Sequence, residues 1–286
     1  MGNIFGRTSR RAIGVADRVA TGGRRLLHGR GVRRAWLVVG CLVALPLLAV
    51  GMVQVVSVVA HEERTELAEV DADDLRGLVV DNGAGSITVV GVDGSDTISV
   101  HARISEGLRA TGHDLSVRGD SLVVQGTCPL FGSEWCAVDY TVEVPAGLHV
   151  TADGSERVIV SDVTGGVTAD SDVSSVELAR VGGEVTVSAD QGRIDASDLR
   201  AERVHARADQ GRVSLAFAES PDEIVVRADQ GSVDIVLPDE ADVAYATETD
   251  ADQGTVSDRI RQDPVSPRSI SVKADQGSIT IAYATS

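Results

Sequence analysis

The sequence predicts an all-β fold: a β-solenoid or β-helix-like stack of two-strand rungs, period about 20 residues, preceded by one transmembrane helix. Three observations predict it. The tetrapeptide Ala-Asp-Gln-Gly occurs five times, at 189–192, 208–211, 228–231, 251–254 and 274–277, at spacings of 19, 20, 23 and 23 residues. Apolar residues alternate strictly on both sides of the copies. An uncharged run of 26 residues, 35–60, comes after an arginine-rich start.

The first segment, 1–34, carries nine arginines against one acid, Asp17. It reads as a basic cytoplasmic arm, a topology signal beside anionic lipid. The run 35–60 (AWLVVGCLVALPLLAVGMVQVVSVVA) would be about 39 Å long as a helix, enough to cross a hydrocarbon core of about 30 Å. Pro46 would kink it, which membrane helices tolerate. The arginine asymmetry places the N-terminus in the cytoplasm and the rest outside. Val58-Val59-Ala60 also satisfies the small-residue rule for signal cleavage. The run is longer than a signal core, so an uncleaved single-pass anchor in the cell membrane is expected. Either reading exports residues 61–286. Residues 61–77 (HEERTELAEVDADDLRG) read as an acidic stalk, in part helical.

Residues 78–286 are expected to form one extracytoplasmic β domain. Numbered from the Asp of each copy, positions −5, −3 and −1 read Val185-Val187-Ala189, Val204-Ala206-Ala208, Ile224-Val226-Ala228 and Ile270-Val272-Ala274. Position +4 reads Ile194, Val213, Val233, Val256 and Ile279, and +6 reads Ala196, Leu215, Ile235, Asp258 and Ile281. A period of two with Val, Ile and Thr in excess excludes helix. Each unit is thus strand, Asp-Gln-Gly turn, strand, second turn. Stacking would set Val on Val and Ala on Ala in a thin core, since one rung cannot bury its own apolar face. Glycine at the turn answers a need for φ > 0. The pattern fades upstream, through Val167-Thr168-Ala169-Asp170 and Leu148-His149-Val150-Thr151-Ala152-Asp153. The copy around Asp252 has Thr247 and Thr249 at core positions and Asp258 at +6, so a distorted rung is expected there. Residues 259–268, with Pro264 and Pro267, read as an extruded loop.

The motif Val-Asp-Tyr-Thr-Val-Glu-Val-Pro-Ala-Gly (138–147), succeeded by short strands with Asp/Gly turns, resembles the bacterial putative-adhesin (toastrack) family. The resemblance covers 78–286. It implies a β-strand-repeat domain with no assigned activity, in chains often anchored to a membrane and in some cases tied to envelope-stress regulators. It offers no catalytic residues to carry over. The uniform Asp-Gln-Gly turns depart from a plain member.

Charge and chemistry bound the function. Removing the arm's nine arginines and one acid from the totals leaves 17 basic and 42 acidic side chains, a net of −25 over 61–286. That opposes nucleic acid and anionic lipid as ligands. No nucleophile elbow, zinc-protease helix or phosphate loop is present. The six histidines are scattered, and His205 at −4 faces outward. Acid pairs such as Asp170 and Asp172 fit turns better than glycosidase work. No enzyme activity and no cofactor are expected. Aromatic residues are 3% of the chain, too few for a stacking lectin. Cys128 and Cys136 bracket a short loop with Phe131 and Trp135, and no histidine lies close to either. A disulfide is expected in an oxidising exterior, with free thiols or a metal site as the other readings. Phe131 and Trp135 would cap the stack or form a contact patch. Cys41 falls in the apolar run.

The repeated Asp190, Asp209, Asp229, Asp252 and Asp275 would form a ladder of like charge about 5 Å apart, a repulsion of about 0.8 kcal/mol per pair in bulk water. The outward cations at −2, Arg207, Arg227 and Lys273, offer relief. So would Ca²⁺ on carboxylate and Gln oxygens. The turn device is the expected reading and the calcium ladder its rival. The function these features indicate is non-catalytic adhesion or scaffolding at the cell envelope, with an envelope or surface protein as partner. The alternative is an accessory or sensor protein in envelope-stress signalling.

Overall fold

The computed structural model describes residues 39–40, 42–45, 47–48, 51–52, 62–106, 109–129 and 135–284. The chain divides into two units, Met1–Met52 and Val53–Ser286. In the first, the described residues are helical. Among the described residues no helix is long and apolar enough to cross a membrane. The arm 1–34 lies outside the described residues, as does most of the run 35–60, Cys41 included.

The second unit is all β, and its strands join in one curled 15-stranded sheet. In chain order these are β1 (Glu62–Asp71), β2 (Gly77–Asn82), β3 (Ile87–Val92), β4 (Thr97–Glu106), β5 (Gly112–Arg118), β6 (Ser121–Thr127), β7 (Ala137–Pro145), β8 (His149–Gly154), β9 (Val158–Ser161), β10 (Val167–Ser171), β11 (Ser175–Ala179), β12 (Gly182–Phe217), β13 (Glu223–Leu237), β14 (Ala246–Asp258) and β15 (Ser269–Tyr283).

Two runs of parallel pairs converge on β12. One is β6-β2-β8-β10 and the other β7-β3-β9-β11. β12 is long enough to meet both, through Val185–Ala189 on β10 and Arg193–Ser197 on β11. Beyond it, β13, β15 and β14 succeed one another in parallel register over both halves of each rung. Like therefore lies on like. Val204 pairs with Ile224 and Ile224 with Ile270, and Val213, Val233 and Ile279 align in the same way. These side chains are fully buried in one continuous apolar core. The alternation read from the sequence fixes this register, because a slip of one residue would exchange the two faces.

At the second corner of successive rungs stand three non-glycine residues with left-handed backbone, Asp162, Arg180 and Asp198, at φ 60°, 55° and 52°. Asp tolerates this region better than most residues, and Arg180 is held there by two bonds. Its Nε and Nη2 donate to Asp162 at 2.6 and 2.7 Å.

Two expectations are corrected. The segment read as a partly helical stalk is strand from Glu62 on, paired antiparallel with β4 from Glu62↔Glu106 to Asp71↔Thr97. Its side chains are nearly all exposed, so backbone hydrogen bonds carry the attachment. The Asp252 copy is not a distorted rung in the middle of the stack. It keeps its register with β15 from Ala246↔Ser269 to Asp258↔Ile281, and it lies outermost. The chain passes from β13 out to β14 and returns through β15, which lies between them. Thr247, Thr249 and Asp258 thus cover Ile270, Val272 and Ile281 as a polar end rung. The loop 259–268 joins the two strands. Within it Arg261 lies over the Tyr283 ring at 4.6 Å and pairs with Asp239 at 2.9 Å.

Candidate functional site: the stacked Asp-Gln-Gly corner

The five turns stack into one corner ridge, in the spatial order Gly192, Gly211, Gly231, Gly277, Gly254. A Cβ on Gly211 would lie 1.4 Å from the Gly192 carbonyl oxygen, and one on Gly231 1.4 Å from that of Gly211. On Gly277 it would lie 1.5 Å from Gly231 O, and on Gly254 1.5 Å from Gly277 O. Four of the five also have φ between 148° and 151°, and Gly254 does not. Glycine is fixed here first because each rung rests on the carbonyl below it. Backbone φ is the second reason. The sequence disclosed the second reason and not the first.

Asp190, Asp229 and Asp252 are exposed, and Asp209 and Asp275 half-buried. Arg207 Nη2 lies 2.9 Å from Asp209 Oδ1, an ion pair whose angles fall outside hydrogen-bond geometry, and 3.8 Å from Asp229 Oδ2 on the next rung. Lys273 Nζ lies 3.6 Å from Asp275 Oδ1. Arg207 and Lys273 therefore stand among the carboxylates and offset their repulsion. Exposed pairs of this kind contribute about 0.2–1 kcal/mol each. Among the described residues no group of three or more His, Cys, Asp or Glu could hold a metal ion. The glutamines form a parallel exposed column, Gln210↔Gln230, Gln230↔Gln276 and Gln253↔Gln276. Beside the ridge is an open groove of about 560 Å³, lined by Gly192, Arg193, Gln210, Gly211, Arg212 and Gly231.

Cys128 and Cys136 are joined as a disulfide. Trp135 in that loop is 41% exposed, and Phe131 lies outside the described residues. His205 is exposed, as its position implied. Asp170 accepts from Ser188 Oγ at 2.6 Å across rungs, while Asp172 is a turn residue.

One polar cluster is not legible in the linear pattern. At the other end of the stack, His113 of β5 has a side chain only 9% exposed. Its Nδ1 lies 2.8 Å from the hydroxyl of Tyr140 on β7, and its Nε2 3.8 Å from Glu66 of β1. Burial pushes the His113 pKa down, against the pull of Glu66, with smaller contributions from Arg64 and Asp114. Burial also pushes the Tyr140 phenol far up. The neutral imidazole and phenol share a hydrogen bond between strands distant in sequence. Arrayed side by side, these residues can bind and brace. Neither the ridge nor the cluster sets a nucleophile against an activating base.

No family model matches the chain, and no curated protein does. Among solved structures it is similar to a putative cell adhesion protein from Clostridium sporogenes, at 12% identity and TM-score 0.38 over 78% of this chain and 100% of that one. It is also similar to a putative adhesin from Bacteroides fragilis, at 15% identity and TM-score 0.37 over 77% and 97% of the two chains. A putative adhesin from Parabacteroides merdae gives 13% identity and TM-score 0.36 over 78% and 97%. These neighbours bear the name of the family the sequence resembles; the likeness is too loose to assign a function.

Proposed function

We propose that this chain is a membrane-anchored, extracytoplasmic β-solenoid that adheres to or scaffolds other components of the cell envelope without catalysis. The observation that carries the reading is the register of the rungs. Parallel stacking lines up Arg207, Arg227 and Lys273 in one outward column and the Gln residues in another. Rung spacing of about 4.8 Å makes a regular, extended contact face of such columns. The −25 charge of residues 61–286 directs that face towards proteins or neutral surfaces and away from nucleic acid. The 26-residue uncharged run behind nine arginines supports an N-in, C-out anchor.

Two measurements test it together. Protease added to intact cells, or to protoplasts where a wall blocks access, should digest 61–286 and spare a tag on the arm. A photo-crosslinking residue at position 227 should capture envelope proteins, and should do so with residues 1–34 deleted. A protected C-terminal tag refutes the topology. Capture that depends on residues 1–34 refutes scaffolding in favour of a signalling role.

A further inference from the structure

We propose that the free edge of β14 is a docking edge for an extended basic strand of another protein. The inference rests on the reading that the stack works by contact with proteins, and it gives the chemistry of one such partner.

β14 is the outermost rung. Among the described residues it pairs with β15 alone over its 13 residues, so its other side presents unpaired backbone N–H and C=O groups. The glycine series reaches its end there as well. Each turn glycine rests on the carbonyl of the rung before it, and Gly254 is the last of the series. Val256 at the same edge is 43% exposed, whereas its counterparts Val213, Val233 and Ile279 are fully buried. Open edges in natural sheets are blunted by charged side chains, above all lysine, by inward-pointing charges, by proline, a bulge, shortness or a covering segment. β14 contains no proline and no lysine, and its 13 residues approach the 15 of β13; the charges that blunt it are acids, which repel an acidic strand and attract a basic one. Its pairing passes over Asp252 in the same way as the interior pairings pass over Asp229, so it adds no bulge of its own.

Charge selects the occupant. β14 carries Glu248, Asp250, Asp252 and Asp258 and no basic residue. At −2 the interior rungs bear Arg207, Arg227 and Lys273, and the column then ends on Asp250, directly beside Lys273. The next strand in register would set its own −2 side chain against Asp250, so a cation there continues the arrangement. A second copy of this chain fits badly. β14 on β14 would oppose acids to acids, and the β1 edge at the far end holds Glu62, Glu63, Glu66, Glu69 and Asp71 against Arg64. The remaining edge, β5, spans 7 residues with Asp114 and Arg118, and matches the 13 residues of β14 neither in length nor in cations. Like charges directly opposite in a sheet are destabilising. The acids thus oppose self-stacking and favour a strand rich in Arg or Lys.

The test uses the full chain in lipid nanodiscs with two labelled peptides taken from its own rungs. One spans residues 203–215, with three arginines and one acid; the other spans 246–258, with four acids and no base. The basic peptide should bind saturably and slow amide exchange across 246–258, and the acidic one should not. Asp250→Asn, at an exposed position, sets no like charge against Lys273, should leave the melting temperature nearly unchanged and should weaken the basic peptide several-fold. Methylating alternate backbone nitrogens of the peptide should abolish binding, as strand pairing requires. Equal binding of both peptides, no saturable binding, or protection elsewhere overturns the proposal. So does sedimentation of the protein as a dimer whose copies protect β14. The crosslinks from position 227 report on the scaffold reading separately, because that position lies on an interior rung.

Discussion

Val226→Asp against Arg227→Asp is the most direct measure of the stack's register. Val226 is 1% exposed and lies between Ala206 and Val272 of the flanking rungs. Removing the buried isopropyl group costs about 1.5–3 kcal/mol. A carboxyl group in its place has no partner, and it survives there only in neutral form. A pKa raised by about three units costs about 4 kcal/mol at pH 7. The total of about 6 kcal/mol compares with a whole-domain stability of about 5–15 kcal/mol, so the variant should be unfolded or nearly so at 37 °C. Arg227, the next residue, is exposed between Arg207 and Lys273. Its replacement by Asp alters surface charge only, for about 1 kcal/mol or less. The assay is urea and thermal unfolding of residues 62–286, monitored by circular dichroism. The deficit of Val226→Asp against the parent should shrink from pH 7.5 to pH 4.5, because a raised carboxyl pKa penalises the folded state as pH rises. Equal losses from the two substitutions would refute the register, since one residue of slip exchanges the faces.

Four further outcomes are expected. Gly231→Ala should destabilise strongly, because its Cβ meets the Gly211 carbonyl between two fixed rungs, while Gly254→Ala should cost less because the outermost rung is free to move; thermal midpoints compare them. Cys128→Ser with Cys136→Ser should lose about 2.5 kcal/mol by loop entropy for a separation of 8 residues, and mass spectrometry of the non-reduced peptide should find the bond. Millimolar Ca²⁺ should raise the melting temperature no more than NaCl of equal ionic strength, with Asp209→Asn/Asp229→Asn behaving likewise; a saturable Ca²⁺-specific rise lost in that double variant would show the ladder to be an ion site. His113 has a depressed pKa in the fold, so its contribution to stability is present above pH 6.5 and is lost as pH falls towards the folded value; His113→Gln should flatten the slope of melting temperature against pH below 6.5.

The interior of this fold was legible because its corner repeats. With Asp-Gln-Gly as an anchor, the alternation placed Val185, Val204, Ile224 and Ile270 in the core without reference to any contact. Adjacency was not legible. Spacing gives the units in chain order, and β15 enters between β13 and β14 against that order. The one available signal was the polar set Thr247, Thr249 and Asp258, which suits an end rung better than a distorted one. β1 escaped for a different reason. Its sequence, EERTELAEVD, turns only Ala68 and Val70 to the core, too short an alternation to announce a strand held mainly by its backbone. Spacing and compartment together pointed to the disulfide. They did not reveal the cluster of His113, Tyr140 and Glu66, since its members come from three strands and no periodicity links them.

The return of β15 between β13 and β14 also sets an order in time. A stack whose rungs lie in chain order can lengthen one rung after another as the polypeptide emerges from synthesis. Here β14 emerges before the only strand it pairs with among the described residues. Until β15 arrives, β13 shows an open apolar edge and β14 has nothing to lie against. The last strand is thus a keystone that closes two interfaces in one event. The C-terminal third of the domain completes only once Ser269–Tyr283 is free to pair, and in that interval both edges stand open to misassembly.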